Sequence, residues 1–189
     1  MRGDALERHS VQFYERPSSL IAQVSTYVVD GLRSEGDAVV VICTSEHLAA
    51  LDTELAKAGI DARRAREQGR YVTLDAAETL ARFMNSHHPD RDRFTDVVGG
   101  ELQRVQARYP RVRAFGEMVA VLWSNGQSTA ALELEELWNE LLGHHPFSLL
   151  CAYPLSSLGR PTSLQTIVDI AKRHGDVIGA VEPREGDAA

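Results

Sequence analysis

Apolar positions change period along the chain, and each change marks an element. Val11, Phe13 and Glu15 alternate with Gln12 and Tyr14, which predicts a short strand over Ser10–Glu15. Beyond Pro17, Leu20, Ile21, Val24, Tyr27, Val28 and Leu32 recur at helical spacing. Proline suits the first turn of that helix, where its missing N–H would have no partner anyway. The helix is expected to end between Gly31 and Gly36. Asp37–Thr44 then carries a continuous β-branched run, Val39, Val40, Val41 and Ile42, with no polar face. A strand of that kind is covered on both sides, as in a parallel sheet.

The alternation continues to the end of the chain. Ser45 is placed to cap a helix that begins at Glu46, packs Leu48, Leu51 and Leu55, and stops at Gly59. Arg70–Asp75 predicts a third strand and Ala76–Met84 the helix after it, while Asn85–Arg93 reads as a loop. Phe94–Ala107 reads as a helix despite Gly99 and Gly100, and Val112–Met118 as a fourth strand. Ser128–Leu142, closed by Gly143, is the clearest helix; Phe147–Tyr153, stopped by Pro154, is the fifth strand; Leu164–His174 is a last amphipathic helix. The expected fold class is α/β, a mostly parallel central sheet of at least five strands with helices on both faces. Residues 1–8 are expected to be an N-terminal extension, 9–178 a single domain that includes the C-terminal helix, and 179–189 a flexible tail.

Composition narrows the classes of function. With 189 residues the chain is long enough for one domain and short for two. A formal charge of −7 argues against a general nucleic-acid binder, which needs a cationic surface. The N-terminus lacks a signal-peptide core and no apolar run could span a bilayer, so a cytoplasmic protein off the membrane is expected. Cys43 and Cys151 both sit in apolar runs and are expected to be buried thiols.

In open parallel sheets ligands bind beyond the carboxyl ends of the strands. That rule selects Tyr14, Glu15 and Arg16, then Thr44–Glu46, Asp75, Gly116, Glu117 and Tyr153. The first strand-to-helix turn, Tyr14–Leu20, has no glycine and no GK[ST], so a phosphate-cradling loop is absent. No GxGxxG follows a strand, and no nucleotide cofactor is expected. Structural zinc usually announces itself by CxxC or HxxxH, neither of which occurs. The pairs His87-His88 and His144-His145 therefore read as loop histidines, and no metal is expected. No GxSxG elbow is present; Gly126-Gln-Ser128 lacks the second glycine. Asp75 with Glu117 could do acid–base work if their strands are neighbours, with solvated or turn-bonded carboxylates as the plainer reading. Arg113 is expected to be a salt-bridge partner for a sheet-end carboxylate, and Trp123 to belong to the core or to a pocket wall.

The order of several segments resembles a known family. His9–Tyr14, Gly36–Thr44, Leu74–Ala76, Arg113–Met118, Leu134–Glu140 and Leu150–Pro154 together resemble the MEDS sensory domain family, from about His9 to Leu155. The family is named for methanogens, methylotrophs and DcmR, a repressor that responds to dichloromethane. The resemblance implies a ligand-sensing domain rather than an enzyme, on a fold related to KaiC- and RecA-type ATPases from which the phosphate loop has been lost. It implies that Tyr14–Ser19 replaces that loop and that Glu46 falls near the acidic pair of the ATPases. The characteristic positions correspond to His9, Phe13, Tyr14, Asp75, Arg113, Gly116, Glu117, Cys151 and Tyr153.

Three functions follow, in order of preference. The first is a stand-alone sensor that binds a small, hydrocarbon-derived ligand at the strand ends. His9 and Tyr14 would supply hydrogen bonds, Glu117 with Arg113 a charged floor, and Trp123 and Tyr153 apolar walls, with Phe13 and Glu46 alongside. It would signal through a separate kinase or transcription regulator, or through a homodimer, because only about thirty residues follow the core. The second is a ligand-free interaction module for a kinase, an anti-sigma factor or a regulator. The third is a residual enzyme that uses Asp75 and Glu117 with a divalent cation.

Overall fold

Each strand carries two alternating sets of apolar side chains, and that pattern forces helices onto both faces of the sheet. The computed structural model describes residues 8–157 and 164–178. Strand β1 (His9–Tyr14) leads to helix α1 (Pro17–Arg33), β2 (Asp37–Cys43), α2 (Ser45–Lys57), α3 (Ala62–Glu67), β3 (Tyr71–Asp75) and α4 (Ala76–Phe83). A small hairpin, β4 (Met84–Asn85) and β5 (His88–Pro89), precedes α5 (Arg91–Phe94), a π-helical turn (Thr95–Gly99) and α6 (Gly100–Gln106). Then come β6 (Arg111–Gly116), α7 (Met118–Ser124), α8 (Ser128–His144), β7 (Phe147–Pro154), α9 (Leu164–Ala171) and β8 (Asp176–Ile178).

Six strands form one sheet in the order β3-β2-β6-β7-β1-β8. Every neighbouring pair in it is parallel. All seven residues of β2 are buried, as a strand flanked and covered on both sides requires. Val39, Val41 and Cys43 face α1 to α3, where Leu20, Val24, Val28, Leu51 and Leu55 complete one core layer. Ala38, Val40 and Ile42 face the opposite layer with Phe83, Phe94, Leu134 and Trp138. There the rings of Phe83, Phe94 and Trp138 stack edge to face at 5.3 and 5.2 Å.

The α/β architecture and the five expected strands are present, and the differences have physical causes. Thr44, not Ser45, caps α2: its side chain accepts from the His47 N–H at 3.4 Å. Helix α3, ARRARE, has almost no apolar residue to betray it and is held by its Asp61 cap at 2.9 Å. The expected loop at Asn85–Arg93 is the hairpin plus the start of α5. β6 ends at Gly116, and the all-apolar run after it forms α7, which shows no period because it has no polar face. Gly143 lies inside α8 instead of ending it. β8, a sixth strand, pairs with β1 through Ser10, Val11 and Gln12. The expected tail and N-terminal extension lie outside the described residues, apart from Arg8.

One glycine is fixed by packing. A Cβ on Gly31 of α1 would come within 2.6 Å of Val39 Cγ2 on β2, so the helix can lie this close to the sheet only without a side chain there. Gly31→Ala gains helix propensity of about 1 kcal/mol but must push α1 away from β2, and overpacking costs about 1–3 kcal/mol. The expected result is a net loss of stability in urea denaturation, the reverse of an alanine placed at an open helical position.

Candidate functional site

Six parallel strands deliver their carboxyl ends to one edge, and a buried acid stands near its centre. Glu117 follows β6 directly, and its N–H donates to the Ile42 carbonyl at 2.8 Å, which continues the ladder one residue past the strand. Its side chain is 4% exposed. Oε2 accepts from the Thr44 N–H at 3.0 Å, and Oε1 lies 2.6 Å from Nδ1 of His47 in the first turn of α2. The carboxylate therefore closes the β2–α2 turn as well as facing the edge. His47 is raised above its ordinary pKa, chiefly by this hydrogen bond, with burial opposing. Tyr14, buried at the end of β1, is raised well above the ordinary phenol range by burial first and by the charge of Glu117 second, so its hydroxyl stays protonated. Burial, reinforced by Glu117 and Asp75, pushes the Cys43 thiol up to about 12.

A second polar cluster lies under the sheet face covered by α8. Glu135 of α8 is completely buried, as is His9 at the start of β1. Tyr153 of β7 donates its hydroxyl to Glu135 Oε1 at 2.7 Å. Oε2 of the same acid lies 3.4 Å from His9 Nε2 and 3.5 Å from Nε2 of His174, which follows α9. Cys151 of β7 places its Sγ 3.3 Å from His9 Nε2. Burial alone would push the Glu135 carboxyl up, but the two imidazoles and the Tyr153 hydroxyl outweigh it and hold the acid low, at about 2. Burial carries His9 the other way, down to about 4. These four side chains could hold a metal ion: one ligand atom from each lies within 4.8 Å of all the others.

A family model for MEDS, the methanogen/methylotroph and DcmR sensory domain, matches residues 8–174. The chain belongs to the MEDS family. A search of the curated proteins finds no match. Among the described residues no helix of this MEDS domain is long and apolar enough to cross a membrane.

The residues expected in one pocket fall into two groups. Tyr14, Glu46, Asp75, Gly116 and Glu117 do reach the carboxyl edge, although Glu46 is exposed in the first turn of α2. Asp75 is engaged as the cap of α4, accepting from Ala77 and Glu78 at 2.9 and 3.0 Å. It does not pair with Glu117, because β2 lies between β3 and β6. His9 is not at this edge: it opens β1, and six extended residues put it about 17 Å from Tyr14. Arg113 does not join Glu117 in a charged floor: it sits four residues earlier on β6, under α1, where its guanidinium lies over the Tyr27 ring at 5.5 Å. Phe13 is core against Tyr153, and Trp123 packs edge-on against the same tyrosine at 5.7 Å. The adjacent pairs His87-His88 and His144-His145 keep clear of both clusters; His87, His88 and His144 are exposed.

Sequence reasoning missed His47, Glu135, Asn139 and His174. A capping turn gives only weak notice of His47. Glu135 and Asn139 share one face of α8 at i, i+4, but no spacing links them to His9, Cys151 or His174, since the fold alone brings α8 and the end of α9 to β1 and β7.

The His47–Glu117 pair makes stability depend on pH. A histidine whose folded pKa is raised stabilises fully below its unfolded value of 6.5, and that contribution is lost as pH rises through the folded value. His47→Gln, which keeps a neutral donor, should therefore lower the urea midpoint at about pH 6 and change it little at about pH 9. Parallel pH series of the two proteins check the difference in slope.

Proposed function

We propose that this MEDS domain is a cytoplasmic, non-enzymatic sensor. It takes a small organic ligand, a hydrocarbon derivative, at the carboxyl ends of its strands and passes occupancy to a separate kinase or transcription regulator. One observation carries the reading: Glu117, almost wholly buried, is fixed by His47 and Thr44 where the parallel sheet opens. A buried acid with a protonated phenol and an imidazole beside it offers both acceptor and donor to a small hydroxylated or halogenated molecule. The loss of the phosphate loop in a KaiC- or RecA-like ancestor belongs to the same reading, supported by the parallel sheet and by a β1–α1 turn without glycine. The carboxylate pair that a residual enzyme would use is separated by a strand.

A ligand-free interaction module is the second reading. It is favoured by β8, a three-residue edge strand with Val177 exposed, and by the exposed Val168 of α9.

Thermal-shift and calorimetric titrations with short-chain alcohols and chlorinated methanes separate the two. Tyr14→Phe removes a hydroxyl and Glu117→Gln exchanges a charged acceptor for an amide donor, and each should weaken a genuine ligand about tenfold or more, while the folded protein persists. Silence of the wild-type protein across the panel, with binding to a signalling partner intact, would select the interaction module.

A further inference from the structure

The cluster under α8 is built in a way that a hydrogen-bonded core does not require. Each imidazole is turned so that Nδ1 meets an acceptor. His9 Nδ1 lies 2.9 Å from Asn139 Oδ1, and Asn139 is oriented by its own Nδ2, which donates to the Arg173 carbonyl at 3.0 Å. His174 Nδ1 lies 2.8 Å from the Ile170 carbonyl. Both Nδ1 atoms must therefore carry protons, and both Nε2 atoms face inward on the same carboxylate oxygen. Tyr153 occupies the other oxygen of Glu135. What is left inside is a set of loosely paired donor atoms: Glu135 Oε2 and His174 Nε2 are buried and meet each other only at the outer limit of an ion pair, 3.5 Å, without a well-formed hydrogen bond. This outward Nδ1–H and inward Nε2 arrangement is the one that ligating histidines adopt, with outer partners fixing the tautomer.

The spacings point the same way. Around a tetrahedral ion with metal–nitrogen bonds of about 2.0–2.1 Å and a metal–sulfur bond of about 2.3 Å, neighbouring ligand atoms stand roughly 3.3–3.8 Å apart. The observed separations are 3.3 Å from His9 Nε2 to Cys151 Sγ, 3.4 Å from His9 Nε2 to Glu135 Oε2, and 3.5 Å from Glu135 Oε2 to His174 Nε2. The two nitrogen-to-oxygen gaps are long for hydrogen bonds and right for atoms that share an ion. No pair exceeds 4.8 Å, so a closure of about 1 Å completes the shell.

We propose that His9, Glu135, Cys151 and His174 bind one zinc-class divalent ion, and that this ion fastens the α9–β8 unit to the edge of the sheet. One thiolate, two imidazoles and one carboxylate suit a borderline-soft, four-coordinate ion, and four buried protein ligands leave no position for substrate. Cys151 gives up its proton as the ion enters. The ligands come from β1, α8, β7 and the residue that closes α9, so the ion ties the last unit to the three elements beneath it. Beside it, the Gly175 N–H donates to the His9 carbonyl at 2.8 Å and starts the β1–β8 ladder. The site is separate from the Glu117 edge and stands whether or not that edge takes a ligand.

The test uses the whole chain. Metal analysis after dialysis against Zn²⁺ should give one ion per chain, and Co²⁺ should produce a thiolate-to-cobalt charge-transfer band with intense four-coordinate visible bands. Cys151→Ser should abolish the charge-transfer band and His174→Ala should lose the ion, while His87→Ala, in the exposed hairpin, should behave as wild type. Where those changes disturb folding, Asn139→Ala and Tyr153→Phe keep all four ligands and should weaken Zn²⁺ by about 10–100-fold. Hydrogen exchange at Gly175 and in β8 should slow when Zn²⁺ is added to chelator-treated protein. A folded wild-type protein that binds neither ion overturns the site and leaves a buried ion-pair network. A Co²⁺ spectrum unchanged by Cys151→Ser overturns the ligand set, and unchanged exchange in β8 overturns the fastening.

Discussion

A sheet covered on both faces tolerates polar groups only where each can be fully compensated, and this constraint shapes the whole domain. β2 meets it by having none pointed inward beyond its first residue, Asp37, which Arg111 partners at the open end. The parallel ladder satisfies the backbone, and apolar side chains satisfy both helical layers. A buried unpaired charge would cost several kcal/mol, so the acids that remain inside, Glu117 and Glu135, had to bring their own partners.

The two acids are compensated differently, and the difference separates two kinds of site. Glu117 is held by a backbone N–H and a half-buried imidazole at the edge of the sheet. Glu135 is sealed among two imidazoles, a thiol and a phenol, all buried. The first acid is compensated by the turn that it closes, the second by side chains drawn from three other segments of the chain. Tyr153 belongs to the second site: near the end of β7 its ring packs against Trp123 and Phe13 in the core, and its hydroxyl reaches Glu135.

The strands and long helices were legible because burial imposes a period. Val39 to Ile42 had no polar face and became the strand covered on both sides; Leu20 to Leu32 had the helical period and became α1. α7 and α3 were illegible for opposite reasons, one apolar all round and the other polar all round, so neither has an amphipathic stripe. Of the site, Glu117 and Tyr14 could be read because the carboxyl ends of parallel strands are a topological address. His9 and Tyr153 were recognised as characteristic positions but assigned to the wrong neighbours. The sequence says which residues lie in β1 and β7, whereas their partners Glu135 and His174 are supplied by helices whose docking no spacing records. The family resemblance covered the same gap only in part: its characteristic positions include Cys151, Glu135 lies inside its Leu134–Glu140 segment without being singled out, and His174 lies beyond it.

β1 is the element that joins the two sites. His9 begins it in the buried cluster, Tyr14 ends it beside Glu117, and its register of two residues per repeat fixes both ends at once. On one side it is paired with β7 over six residues, and on the other with β8 over three. The β8 side is therefore the weaker of its two attachments, and Val177, 46% exposed, adds little burial to hold it. Segments with few buried contacts open at the least free energy, which makes the β8 edge the part of this MEDS domain whose docking the smallest change in β1 can shift. Val177 stands exposed on that edge strand, so a shift there moves an apolar side chain already at the surface.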